Sequence, residues 1–165
     1  MNNIKILHFK KAFSLIELLI VVIILSLVIG LAIPNLSKGR TAVELKQTAK
    51  DIAYVMQYAQ QRSVIDGKIY QLKFNEEGSR YWLMIEDLSS GENLFEKKFK
   101  RFTGRLSKIS NISNNISVIL PADVVQFYPN GLSDRVEIKV SDGKNTIVVS
   151  TEKQRGSVYV FEMEN

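Results

Sequence analysis

The 165-residue chain has room for one domain with an ordinary core, and 45% of its residues are hydrophobic. It has no cysteine, which excludes disulfides, thiol nucleophiles and cysteine-ligated metals. Of its 22 Lys and Arg, three (Lys5, Lys10, Lys11) precede the first acid, leaving 19 bases against 17 acids in a nearly neutral body. DNA-binding surfaces gather Lys and Arg on one face. The one dense cluster here, Lys97, Lys98, Lys100, Arg101 and Arg105, reads as a solvated loop or strand face, and no nucleic-acid partner is expected.

In chain order, residues 13–33 come first: 21 residues whose only ionisable member is Glu17. At about 1.5 Å per residue they would reach about 31 Å as a helix, the thickness of a hydrocarbon core. This is a transmembrane candidate. The short lysine-bearing segment before it should stay cytoplasmic, placing everything after Pro34 on the periplasmic or outer side. Over residues 34–67, Leu45, Ala49, Ile52, Ala53, Met56, Ala59 and Ser63 recur at helical spacing with Lys46, Lys50, Asp51, Gln57 and Gln61 between them. That amphipathic helix continues the first and should close near Asp66-Gly67, giving one helix of about 50 residues.

From residue 68 to 165 the period becomes two. Tyr70, Leu72 and Phe74, then Tyr81, Leu83 and Ile85, alternate with polar residues across an Asn75-Glu76-Glu77-Gly78 turn, which predicts a hairpin. Further strands are predicted at 116–120, 124–128, 136–140, 146–149 and 157–161. They are separated by Pro129-Asn130-Gly131, Ser141-Asp142-Gly143-Lys144 and Gln154-Arg155-Gly156. Residues 86–115, rich in Ser, Asn and Lys, read as a long loop with room for one strand. The expected class is α+β, a long N-terminal helix packed on an antiparallel β-sheet domain.

Lys10-Lys11-Ala12-Phe13-Ser14-Leu15-Ile16-Glu17 resembles the class III signal of type IV prepilins and type II secretion pseudopilins. There a short basic leader ends in a small residue ahead of Phe-[Ser/Thr]-Leu-x-Glu and an apolar helix. The resemblance runs from Ala12 to Pro34, with Ala12 standing where glycine is usual. It implies a pilin-like fold, a leader at 1–12, cleavage between Ala12 and Phe13 by prepilin peptidase, and methylation of the Phe13 amine. An acid so early in a membrane span is costly. Docking of one subunit's Phe13 amine against a neighbour's Glu17 would compensate both charges and set register. Pro34 removes the amide that would bond the carbonyl of Gly30, itself a poor helix former, so this pair is the expected weak point of the helix.

Three more distant segments look like the GspH/FimT branch of minor pseudopilins and minor pilins: Tyr58-Ala59-Gln60-Gln61-Arg62-Ser63-Val64-Ile65-Asp66-Gly67-Lys68, Phe127-Tyr128-Pro129-Asn130-Gly131 and Arg155-Gly156-Ser157-Val158. The resemblance implies a structural subunit of a type II secretion pseudopilus or a type IV pilus. It would be a single-pass protein of the bacterial inner membrane whose partners are other pseudopilins or pilins, prepilin peptidase, the inner-membrane assembly platform and membrane lipid. All these machines, competence filaments included, share the motif, so the choice among them stays open.

Other residues read more plainly. His8, the sole histidine, lies in the leader. Tyr70, Tyr81 and Trp82 sit at strand spacing and read as core or cross-strand pairs. Glu76, Glu77, Glu86, Asp87, Asp134 and Asp142 surround turns and read as caps or solvated faces, so no metal or other cofactor is expected. An anchored enzyme would lack histidine, cysteine and any recognisable nucleophile motif, so no catalytic activity is expected. The competing reading is a secreted soluble binding protein with a conventional signal peptide cut after Ala32 and a domain starting at Ile33. Against it, the apolar run is longer than the ~7–15 residues of a signal core and contains an acid.

Overall fold

The computed structural model describes residues 14–89, 97–152 and 157–163, and the side chains of all of these except 30–39. The chain divides into two compact units, Met1–Gly39 and Arg40–Asn165.

Helix α1 spans Leu15–Asp66. Its first turn opens at Ser14, whose carbonyl accepts the amides of Glu17 (3.0 Å) and Leu18 (3.2 Å). In the first unit, Leu15 through Ile29 is apolar on every side apart from Glu17 and Ser26, and its large side chains are exposed, from 42% at Val21 to 82% at Leu15. The Ser26 hydroxyl donates to the Val22 carbonyl at 2.7 Å, so it does not interrupt the apolar surface with an unsatisfied donor. Among the described residues no helix is long and apolar enough to cross a membrane. The span expected at 13–33 extends past them at both ends, to Phe13 and to the side chains of 30–33.

In the second unit every apolar-face residue the periodicity selected is buried: Leu45, Ala49, Ile52, Ala53, Met56, Ala59 and Ser63. Helix α1 stops at Asp66 because Gly67 takes φ 63°, a conformation that costs glycine little, and Lys68 N then bonds back to Ser63 O at 3.2 Å. The chain enters β1 (Tyr70–Phe74) and returns in β2 (Arg80–Glu86). β3 (Phe99–Arg101), β4 (Ser110–Asn111) and β6 (Val124–Phe127) complete a sheet of order β3-β2-β1-β6, with β4 also on β2. A second sheet has the order β5-β7-β8-β9, from β5 (Ser117–Ile119), β7 (Glu137–Ser141), β8 (Thr146–Ser150) and β9 (Tyr159–Glu162). All pairings are antiparallel.

The described residues of the 86–115 segment differ from expectation, holding two short strands rather than one. β3 pairs with Met84–Glu86 and β4 with Arg80 and Tyr81. Lys-Lys-Phe-Lys-Arg has no alternating apolar signal, so this pairing is decided by the free edge of β2 and by Phe102, which enters the core. Tyr70 and Tyr81 are core residues, whereas Trp82 is half-buried opposite Lys73. Lys97 pairs with Glu86 (3.5 Å) and Lys100 with Asp87 (3.1 Å) on an otherwise solvated face.

The turn between β1 and β2 ties the two sheets. Gly78 has φ 64°, and a Cβ there would lie 2.9 Å from the Val118 carbonyl oxygen of β5. Gly78→Ala is expected to destabilise the domain by about 2 kcal/mol, combining left-handed strain with a backbone clash. Urea unfolding of a fragment beginning at Lys38 checks this, and an unchanged midpoint would refute the tie.

A polar cluster fastens the end of α1 to β1. The Tyr70 hydroxyl donates to Asp66 Oδ2, which also receives Arg62 Nη2 at 3.0 Å. Burial, and then this hydrogen bond, pushes the Tyr70 phenol from 10.0 up to about 12. Since the folded state holds the proton more tightly, the hydroxyl's contribution is full below pH 10 and lost as pH rises toward 12. The stability gap between wild type and Tyr70→Phe should therefore shrink across that window, as read by denaturant unfolding.

Candidate assembly surface

Of the residues the motif singles out, Ala12 and Phe13 lie outside the described residues. Glu17 is exposed in the first turn of α1, and its carboxylate has no bonded partner among the described residues. Gly30 and Pro34 lie within α1, whose assignment runs through both. A helix that is apolar all round is stable only when lipid or protein surrounds it, and a lone carboxylate there calls for a cation or a proton. This segment can therefore insert, pack and pair. Among the described residues no His/Cys/Asp/Glu group could hold a metal.

Two of the acids near turns, Asp134 and Asp142, act as caps. Asp134 Oδ2 accepts Gln126 N (2.9 Å) and Oδ1 accepts the Tyr128 hydroxyl (3.0 Å). Asp142 Oδ1 accepts Lys144 N (2.9 Å) and Asn145 N (2.7 Å), and these backbone bonds, Asn145 first, lower its pKa. Glu44 on α1 accepts from Ser113 Oγ (3.1 Å) and Arg40 Nε (3.2 Å). Lys46 reaches Glu162 of β9 at 3.0 Å.

Two of the three segments that resembled one branch from far apart in sequence are bonded to each other, and of the third Ser157 and Val158 lie beside them, Arg155 and Gly156 being outside the described residues. Gln60 Nε2 donates to the Gly131 carbonyl at 3.0 Å, and the buried Ser63 hydroxyl sits 3.0 Å from the Tyr128 carbonyl. A groove of about 610 Å³ opens beside them, between the end of α1, Gly131 and Ser157-Val158. Sequence reasoning did not anticipate this meeting. Its one signal was Ser63, a hydroxyl on an apolar helix face, which lies 2.7 Å from the Gln60 carbonyl of its own helix as well as 3.0 Å from Tyr128.

Against known proteins, the model of the prokaryotic N-terminal methylation motif matches residues 7–33. No curated protein matches the sequence. Among solved structures, the chain is similar to the minor pseudopilin EpsH of the Vibrio cholerae type 2 secretion system, with TM-score 0.60 and 9% identity over 72% of this chain and 97% of that one. It is also similar to the Pseudomonas aeruginosa type IV minor pilin FimU, with TM-score 0.53 and 16% identity over 73% and 90%. Identities this low establish likeness of fold. The chain therefore joins a prokaryotic N-terminal methylation motif at the head of its helix to a domain whose fold is like those of a minor pseudopilin and a minor pilin.

Proposed function

We propose that this protein is a minor pseudopilin or minor pilin, a structural subunit of a type II secretion pseudopilus or a type IV pilus and not an enzyme. The observation that supports this most strongly is the methylation motif over residues 7–33, leading into an exposed apolar helix whose Glu17 has no partner among the described residues. On this reading residues 1–12 are a leader removed by prepilin peptidase and 13–33 anchor the chain in the inner membrane. Residues 34–67 continue the helix, and 68–165 form the periplasmic β domain. The Phe13 amine is methylated and pairs with Glu17 of a neighbouring pilin or pseudopilin, with lipid and the assembly platform as the other partners. Gly30 and Pro34 supply a helix segment able to extend or bend when the subunit leaves the bilayer, since one lacks a side chain and the other an amide.

Intact mass of the protein from cells with active peptidase tests the processing. The mature chain should begin at Phe13 and carry one added methyl group. A start at Ile33 would instead support the soluble reading, with conventional cleavage after Ala32. A retained leader would defeat the proposed processing. The motif match through residue 33 and the continuation of α1 past it speak against a cut there.

A further inference from the structure

We propose that Asn130 is a site of self-modification, an asparagine that loses its side-chain amide to attack by the Gly131 nitrogen, and that the docked end of α1 holds it unreactive. The inference goes beyond the subunit function and does not depend on which filament takes up the chain.

Of all the asparagines in the sequence only Asn130 precedes a glycine. That dipeptide is the reactive one, because a glycine nitrogen brings no side chain against the neighbouring carboxamide and its backbone turns freely. In the reaction the Gly131 amide gives its proton to water or hydroxide and the nitrogen bonds to Asn130 Cγ. The Cγ–Nδ2 bond breaks, and Nδ2 takes up a proton and leaves as ammonia. Water then opens the cyclic imide at either carbonyl, leaving aspartate or the isomer whose main chain runs through Cγ. Only water is consumed, and nothing is oxidised or reduced.

In the folded domain both reacting groups are already engaged. Asn130 is exposed and Gly131 sits at φ 79°, but the Gly131 amide donates to the Tyr128 carbonyl at 3.0 Å, so its proton is held. Asn130 Oδ1 accepts the Leu132 amide at 3.0 Å, which fixes the carboxamide in one torsion. Helix α1 fastens this turn on both sides of the reactive pair. The Ser63 hydroxyl sits 3.0 Å from the Tyr128 carbonyl, and Gln60 Nε2 donates to the Gly131 carbonyl at 3.0 Å. Reaction must wait for the turn to open, and its rate follows the population of the opened state.

The product does not fit back. Either form adds a carboxylate to the turn that Asp134 caps through Gln126 N and the Tyr128 hydroxyl. The isomer also lengthens the main chain by one carbon between residues 130 and 131, which carries the Gly131 carbonyl away from Gln60. An undocking of α1 that lasts long enough thus leaves a permanent mark.

The test follows the full-length chain in detergent micelles at mildly alkaline pH, with and without urea, by peptide mass spectrometry that reads each asparagine's conversion to acid. In urea Asn130 should convert before any other asparagine, and roughly tenfold or more faster than in the folded chain, because the unfolded turn needs no opening step. Gln60→Ala and Ser63→Ala, kept folded, should each raise conversion at Asn130 severalfold, whereas Gln57→Ala, an exposed position one turn earlier, should leave it unchanged. A folded wild type that converts as fast as the unfolded chain would overturn the proposal, and so would another asparagine reacting first in urea. Wild-type rates in both folded variants would overturn the guarding role of α1. Should either variant unfold, hydrogen exchange at the Gly131 amide of the wild type decides instead: strong protection supports the guard and free exchange removes it.

Discussion

Ile52→Asp should leave a fragment beginning at Lys38 close to unfolded. Ile52 is fully buried in α1, within one cluster that includes Ala49, Met56, Tyr70, Leu72 and Phe127. An aspartate there either buries a charge without a partner or takes up a proton and still buries a polar group in place of a methyl-rich side chain. Either outcome is expected to cost about 4 kcal/mol or more, against a total stability of about 5–15 kcal/mol for an ordinary domain. Lys50→Asp, two residues away and exposed, is the matched control and should shift stability by less than about 0.5 kcal/mol. Urea unfolding of both variants reads the difference. Equal midpoints would mean that the buried face of α1 has been misassigned.

Glu17→Leu is the second large effect, expected in assembly with little change in folding or processing. The substitution makes the first turns of α1 uniformly apolar and leaves Ala12 and Phe13 intact, so insertion and cleavage should proceed. A neighbour's Phe13 amine would then lose its counter-charge in a poorly solvated setting. Removing one partner of such a pair costs about 3–5 kcal/mol, and at about 1.4 kcal/mol per tenfold this shifts an assembly step a hundredfold or more. Crosslinking to partner subunits, together with secretion or piliation in a strain without the wild-type copy, measures it. Normal complementation at native expression would defeat the pairing. A carboxylate that merely faced lipid head groups could be replaced with no effect, or with tighter membrane retention.

Much of the fold was legible in the sequence because local periodicity and burial report the same thing. The seven residues from Leu45 to Ser63 that recur at helical spacing are the ones α1 buries, and the alternation of Tyr70, Leu72 and Phe74 with Tyr81 and Leu83 marks the buried faces of β1 and β2. Glycine announced turns equally well: Gly67, Gly78, Gly131 and Gly143 all take positive φ. Strand ends moved by a residue or two, as at Glu137–Ser141 and Tyr159–Glu162, because a ladder ends where its partner ends and not where the apolar pattern does.

By itself the sequence determined the N-terminal motif, the all-round apolar segment after it, the helix with its buried face, and the antiparallel character of the rest, since each is written in the spacing of neighbouring residues. Only the tertiary structure decided that β3 and β4 both add to β2, that the strands divide into two sheets, and that the Gln60-Ser63 turn of α1 meets Tyr128 and Gly131. The contacts of Gln60 and Ser63 join residues more than sixty positions apart. Such pairings are selected by which edges and acceptors remain unsatisfied once the core has closed, which no local pattern encodes.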